Sequence, residues 1–364
     1  MHATEALNEA DRLMVVCNSC RYCEGLCAVF PAMEMRRSFT SGDLRYFANL
    51  CHGCGACFDD CQFSPPHEFN VNVPKALAQL RVESYAHYAW PGAFAGVFRR
   101  NGLAISLVSA LSVAVFVAGF VAWTDPGALF TSHTGPGAFY RLMPHNTMVV
   151  IFGAAFLYAV LAIVMGLRRF WRDGGDADGP AYAAAGHDAA TLRYLDGGGA
   201  GCRDSDALTS DRRRVYHHLT FYGFLLCFAS TSVATLYHYL LGWPAPYAWY
   251  DVPVVLGTLG GIGLLIGPVG LLAEKAKREP QTQDRALYGM DVGFLVMLFL
   301  TSLTGLALLM LRHTPAMSLL LAVHLGVVFG LFITMPYGKF VHGFYRYAAL
   351  ARYARERRTP APHD

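Results

Sequence analysis

Six unbroken apolar runs dominate this chain, at residues 103–123, 147–167, 216–241, 252–273, 288–311 and 315–335. Each is long enough to cross the hydrocarbon core of a bilayer as a helix, which takes about 20 residues. The pattern therefore predicts six transmembrane helices. The fourth run is dense in glycine (Gly257, Gly260, Gly261, Gly263, Gly267, Gly270), and small residues let helix backbones approach closely in lipid. Residues 1–73 are polar by comparison. Residues 75–89 read as a helix, after which Trp90, Phe94 and Phe98 recur every four residues and Arg99 and Arg100 follow. That segment fits either an interfacial helix on the membrane surface or a linker packed on its own soluble domain. The stretch 173–211, rich in Gly, Asp and Ala, reads as a loop with partial order at most. The divisions are thus 1–73, a linker at 74–101, a bundle at 102–345 interrupted by a loop at 168–215, and a basic tail at 346–364.

Composition agrees. Of 364 residues, 54% are hydrophobic and only 15% charged, which excludes a single soluble globule. The net charge of +3 is small, and its distribution is more telling. An even number of spans puts both termini on one side. Of the 29 Lys and Arg residues, 27 fall in the segments on that side, and only Arg141 and Arg312 on the other. By the positive-inside rule the termini are expected in the cytoplasm of a bacterium, with the protein in its inner membrane.

The chemistry is carried by cysteine. Cys17, Cys20, Cys23 and Cys27 form a C-x2-C-x2-C-x3-C run, and Cys51, Cys54, Cys57 and Cys61 repeat it after 23 intervening residues. This is the spacing of a bacterial-type ferredoxin with two [4Fe–4S] clusters, in which the fourth cysteine of each run ligates the other cluster. One cluster would take Cys17, Cys20, Cys23 and Cys61, the other Cys51, Cys54, Cys57 and Cys27. Zinc sites favour separated C-x2-C pairs, and disulfides need an oxidising compartment that the polar residues 1–16, with no export signal, do not suggest. The proline that usually follows the fourth cysteine is replaced by Ala28 and Gln62, which touches local geometry rather than the ligands. Cys202 reads as a free cytosolic thiol and Cys227 as a small apolar residue of a span. The expected fold is all-α: an N-terminal α-helical ferredoxin-like domain with two clusters, joined to a six-helix transmembrane bundle.

Histidines mark the third and sixth spans. The third begins with His217-His218 and nears its end at His238; the sixth carries His324 and is followed by His342. The two spans run antiparallel, so His217/His218 shares a level with His342, and His238 with His324. Opposed histidines at two depths suit two bis-histidine b haems. Single interfacial histidines also serve as helix-end anchors. His217 and His218 diverge by about 100° on a helix, so one of them faces a haem. The 20-residue spacing to His238 favours His218.

Clusters tethered to a dihaem bundle make a one-electron path from the cytoplasm into lipid, suited to a reduced flavin as donor and a quinone as acceptor. There is no dinucleotide fingerprint and no C-x-x-C-H haem attachment, so substrate and flavin belong to a partner; nothing points to nucleic acid. A membrane iron–sulfur redox sensor is the rival expectation, and the short tail is too small for an output domain. A transporter is a weaker rival, since carboxylates inside the spans are nearly absent.

The segments CNSCRYCEGLCAVFPAME, CHGCGACFDDCQFSPPHEF, RRRVYHHLTFYGFLLCFASTSVATLYHYLLG and MPYGKFVHGFYRY together resemble the tricarballylate-utilisation protein B (citrate-utilisation B) family, over essentially the whole chain. The His324/His342 pair and the PYGKFVH segment are also similar to the haem-bearing gamma subunit of respiratory nitrate reductase. The resemblance implies an electron-transfer oxidoreductase subunit. It would reoxidise a soluble FAD-dependent tricarballylate dehydrogenase, the enzyme that makes cis-aconitate, and pass the electrons to membrane quinone.

Overall fold

The computed structural model describes residues 2–199, 201–203 and 209–358, without the side chains of 202–209 and 285–287. Among the described residues the only strands form a two-residue ladder that pairs Cys202–Arg203 with Thr209–Ser210, and the other elements are helical. The side chain of Cys202 lies outside the described residues.

The N-terminal domain is built from helices that end where cysteines begin. Helix α1 (Glu5–Cys20) is capped by Thr4, whose hydroxyl accepts from the Leu7 N–H at 3.3 Å, and buries Leu7, Ala10, Leu13 and Met14. It stops at Arg21 in the left-handed region (φ 55°), so Cys17 and Cys20 sit on its last turn. Helix α2 (Val29–Glu34) starts just after Cys27. Helix α3 (Ser41–Leu50) opens with a capping box between Thr40 and Asp43 and ends at Cys51. A box of this kind satisfies two orphan amides at a helix start. The short α4 (Ala56–Asp59) carries Cys57, and α5 (Val73–Tyr88) closes the domain. The linker packs both ways: Phe98 is buried against Tyr85, while Phe94 is half exposed beside Tyr337.

Among the described residues, six helices are long and apolar enough to cross a membrane. They are α6 (Asn101–Trp123), then, past the short α7 (Pro126–Leu129), α8 (His145–Gly174), and, past α9 (Gly179–Ala190), α10 (Arg212–Leu241), α11 (Val252–Lys277), α12 (Arg285–Leu311) and α13 (Met317–Thr334). The glycine-rich α11 lies closely along α10. A Cβ added at Gly260 would stand 2.7 Å from the Gly223 carbonyl and 2.8 Å from the Cys227 amide. The seam therefore exists only because no side chain fills it.

Two segments are more ordered than their composition predicts. The loop between α8 and α10 contains the helix α9, which packs on the last helix, α14 (Val341–Arg358). That last helix is no free tail, because Ala348, Ala349, Leu350 and Ala351 are buried. Arg352 binds Asp43 of α3 at 2.7 Å and Glu356 at 2.8 Å, and stacks over Tyr46. Both segments gain their order from contacts distant in sequence, which local composition does not record.

Candidate iron–sulfur site and its junction with the bundle

The eight motif cysteines divide around two neighbouring cavities. One is lined by Cys17, Cys20, Cys23 and Cys61 with Val16, Tyr22, Phe30 and Phe63; the other by Cys27, Cys51, Cys54 and Cys57 with Leu26, His52, Pro74 and Tyr194. Each encloses about 370 Å³, open mouth included. The fourth cysteine of each run thus stands in the other run's cavity, the crossed division that the spacing predicts. Phe30, buried, lines both and forms a thin common wall. No described cysteine is paired in a disulfide. Among the described residues no three His, Cys, Asp or Glu side chains converge as a single-metal site. Around one zinc ion with bonds of about 2.3 Å they would crowd together; here they surround a void, which suits a cluster better.

Electrostatics agrees with the grouping. Burial, then Cys23, Cys61 and Cys20, pushes the Cys17 thiol up to about 12. Burial, then Cys54 and Cys51, raises Cys27. Burial, then Cys54, Cys27 and Cys51, raises Cys57. Such crowded thiols ionise together only around bound cations, and a coordinating metal deprotonates its thiols outright.

The two cavities face different surroundings. At the first, Cys20 is exposed and Tyr22 is 73% exposed. The second is roofed by the loop after α9. Leu192 and Leu195 pack on Cys54, and Tyr194 lines the cavity. Gly197 and Gly198 have φ of +60° and +81°. A Cβ at Gly197 would lie 3.2 Å from that of Ala56, and one at Gly198 3.2 Å from the Leu26 Cα. Only glycine fits this conformation at such close range.

Beneath the second cavity, arginines gather on the backbone around Cys51. Arg81 of α5 donates to the Ala48 and Cys51 carbonyls, both at 2.6 Å. Arg346 of α14 donates to Cys51 at 2.9 Å. Arg213 of α10 donates to Gly53 at 2.8 Å and His52 at 3.0 Å, and Arg278 to Gly53 at 2.6 Å. Burial, then Arg346, holds the His52 imidazole neutral, well below its usual range. None of these arginines stands out by motif, but Arg213 and Arg346 each lie four residues from a marked histidine, a spacing that shares a helix face.

Those histidines are His217 and His342, whose rings meet at 6.2 Å between centroids. Spacing alone favours His218; the structure instead turns His217 to His342 and sets His218 beside Tyr222, ring centroids 5.8 Å apart. The reason is helix rotation. Arg213 and His217 share the face toward the cysteine domain. Arg214 and Tyr222, on the face of His218, bind the Thr191 and Ala190 carbonyls beside α9. The His342 Nδ1 lies 2.6 Å from the Lys339 carbonyl, while the His217 Nδ1 is buried without a partner. Two metal–imidazole bonds of about 2 Å each, with the ring radii added, put centroids about 6 Å apart, so His217 and His342 are the pair whose separation would let them hold one iron between them. The outer histidines are not brought together. His238 stacks on His145 at 3.8 Å, and the His324 Nδ1 lies 2.9 Å from the Thr304 hydroxyl. Helix α10 turns His238 toward His145 at the start of α8, and α13 turns His324 toward Thr304 of α12.

Comparison with known proteins now bears on the whole arrangement. The family described as Citrate utilization protein B matches residues 96–363, and the Citrate utilization protein B Fer4-like domain matches residues 10–87. The chain belongs to the citrate utilization protein B family. It is 51% identical over 359 residues, 98% of this chain and 94% of the relative, to Citrate utilization protein B of Escherichia coli. No solved structure matches the chain. In this citrate utilization B chain the Fer4-like match spans both cysteine runs, and the remaining match contains all six apolar helices.

Proposed function

We propose that this chain takes electrons from a soluble flavoprotein dehydrogenase on the cytoplasmic side of a bacterial inner membrane and delivers them to quinone in the lipid. One arrangement carries the proposal: the inner cysteine set is clamped by Arg213 and Arg346, each one helical turn from a member of the His217–His342 pair. Two [4Fe–4S] clusters, with a b haem at the histidine pair, would supply one-electron chemistry that lets a two-electron donor discharge in single steps.

The chain's own residues define the path. Cys17, Cys20, Cys23 and Cys61 hold the outer group beside the exposed Tyr22, where a soluble donor has access. Cys27, Cys51, Cys54 and Cys57 hold the inner one beneath the Tyr194–Gly199 segment. Phe30 keeps the two close. Arg213 and Arg346 fix the inner set against the bundle, and His217 and His342 stand at the entrance to the spans. His238 and His324, each engaged with its own neighbour, serve as contacts between helices. The charge asymmetry supports a cytoplasmic cysteine domain. The resemblance to tricarballylate-utilisation proteins, and the name of the E. coli relative, support a tricarboxylic acid as substrate of the donor, not of this chain.

Purified anaerobically, the protein should contain about eight iron and eight acid-labile sulfide per chain, and its reduced-minus-oxidised spectrum should show a b-type α band that His217→Ala and His342→Ala both abolish. Cluster signals with no haem band would remove the haem and leave quinone to be reduced directly from the inner cluster. Absence of iron and sulfide would overturn the proposal.

A further inference from the structure

We propose that Arg81 and Arg346 are positioning residues for the electron itself: two fixed positive charges that make the inner cysteine site the higher-potential of the two. The inference rests on the two-cluster reading above and adds a direction to it.

Both guanidiniums end on one atom. Arg81 Nη2 lies 2.6 Å and Arg346 Nη2 2.9 Å from the carbonyl oxygen of Cys51, itself a ligand of the inner set. Their other hydrogen bonds run to the carbonyls of Ala48 and Asn49. Every acceptor is uncharged, and among the described residues neither arginine has a carboxylate within ion-pair distance. Arg81 is only 8% exposed. Two cations, Arg81 buried and Arg346 partly so, converging on one carbonyl repel each other, and charge out of water is costly unless opposite charge offsets it. Thiolates around an iron–sulfur core carry that opposite charge, and one more negative charge on reduction.

The outer site is built the other way. Cys20 is exposed, and the nearby Asp60 places a negative charge close to Cys23. Net charge, hydrogen bonding and exposure set the potential of such a cluster. An exposed ligand with a carboxylate near its neighbour disfavours an added electron, and two guanidiniums on the backbone of a buried ligand favour it. An electron arriving outside from a reduced flavin therefore comes to rest inside. No bond is made or broken and no proton moves, and the added negative charge ends beside Arg81 and Arg346.

The test is a potentiometric titration of the full-length protein in detergent, with dithionite as reductant and low-temperature EPR as readout. Cys54→Ser, which should delete the inner signal, assigns the two midpoints. Arg346→Gln and Arg81→Gln should each lower the higher midpoint and leave the lower one in place. The expected change is about tenfold in electron sharing between the sites, or 59 mV for one electron. Arg346→Lys and Arg81→Lys keep the charge but not the fork, and should hold the wild-type midpoint. The inference is overturned if the Gln variants keep both clusters at unchanged midpoints, or if the Lys variants shift as far as Gln. Should a Gln variant lose the inner cluster, the Lys variants still decide by their midpoints. A wild type with only one cluster signal sinks the two-cluster reading, and this inference with it, before any arginine is changed.

Discussion

Cysteine position decides which site a substitution damages. Cys61 lies nearest in sequence to Cys57 yet shares its cavity with Cys17, Cys20 and Cys23. Cys61→Ser and Cys20→Ser should therefore erase the same EPR signal, and Cys27→Ser and Cys54→Ser the other. Loss sorted by sequence run instead would refute the crossed division. A second residue-scale prediction concerns Asp43. Burial raises its carboxyl pKa, but the Thr40 hydroxyl bond and the charges of Arg36 and Arg352 outweigh burial and leave it below the ordinary value. A carboxyl depressed on folding stabilises the fold above its unfolded value of about 3.9, and that contribution disappears as pH falls through the folded value. Asp43→Ala should cost about 3 kcal/mol near neutrality, the typical cost of removing one partner from a buried charge pair. The deficit relative to wild type should vanish in acid, as chemical denaturation at a series of pH values will show. A deficit that persists unchanged at low pH would assign the loss to packing instead.

Helices carry the next level. The seam between α10 and α11 leaves no room for a Cβ at Gly260, whereas Gly119 of α6 has nothing within 4 Å of an added Cβ. Gly260→Leu should therefore lower the detergent unfolding temperature by many degrees, and Gly119→Leu leave it nearly unchanged. Equal effects would mean that α10 and α11 do not pack through glycine. Much at this scale is legible from sequence. Five of the six apolar runs lie within the long helices observed, and the sixth overruns α13 by a residue or two at each end, because the length of apolar chain needed to cross lipid is written in local hydropathy. The two cysteine groups are legible because ligand spacing is local. The rest depends on contacts that no local pattern encodes. The roles of Tyr194 and Gly197–Gly199 become visible only when the loop lies over Cys54. The choice between His217 and His218 turns on which face of α10 meets the cysteine domain, and the burial of α14 depends on Asp43, some three hundred residues earlier.

For the molecule as a whole, six helices able to span a membrane and the lopsided basic residues are the basis on which we propose that both termini lie on one side. Reporter fusions after residue 358 and within 124–144 should report opposite compartments; agreement between them would mean a wrong span count and would detach the histidine levels from their depths. The roofed inner cavity has a further consequence, for the making of the protein. All eight motif cysteines are synthesised within the first 61 residues, so a ribosome presents every ligand early. The walls come much later: Tyr194 and the glycine loop follow the second span, and Arg346 arrives eighteen residues from the end of the chain. A nascent chain can therefore close the outer pocket while the inner one still lacks its roof and the clamps Arg213 and Arg346. The two sites are thus completed at different times, the inner one only after α13 has been made and α14 has folded back on the first domain.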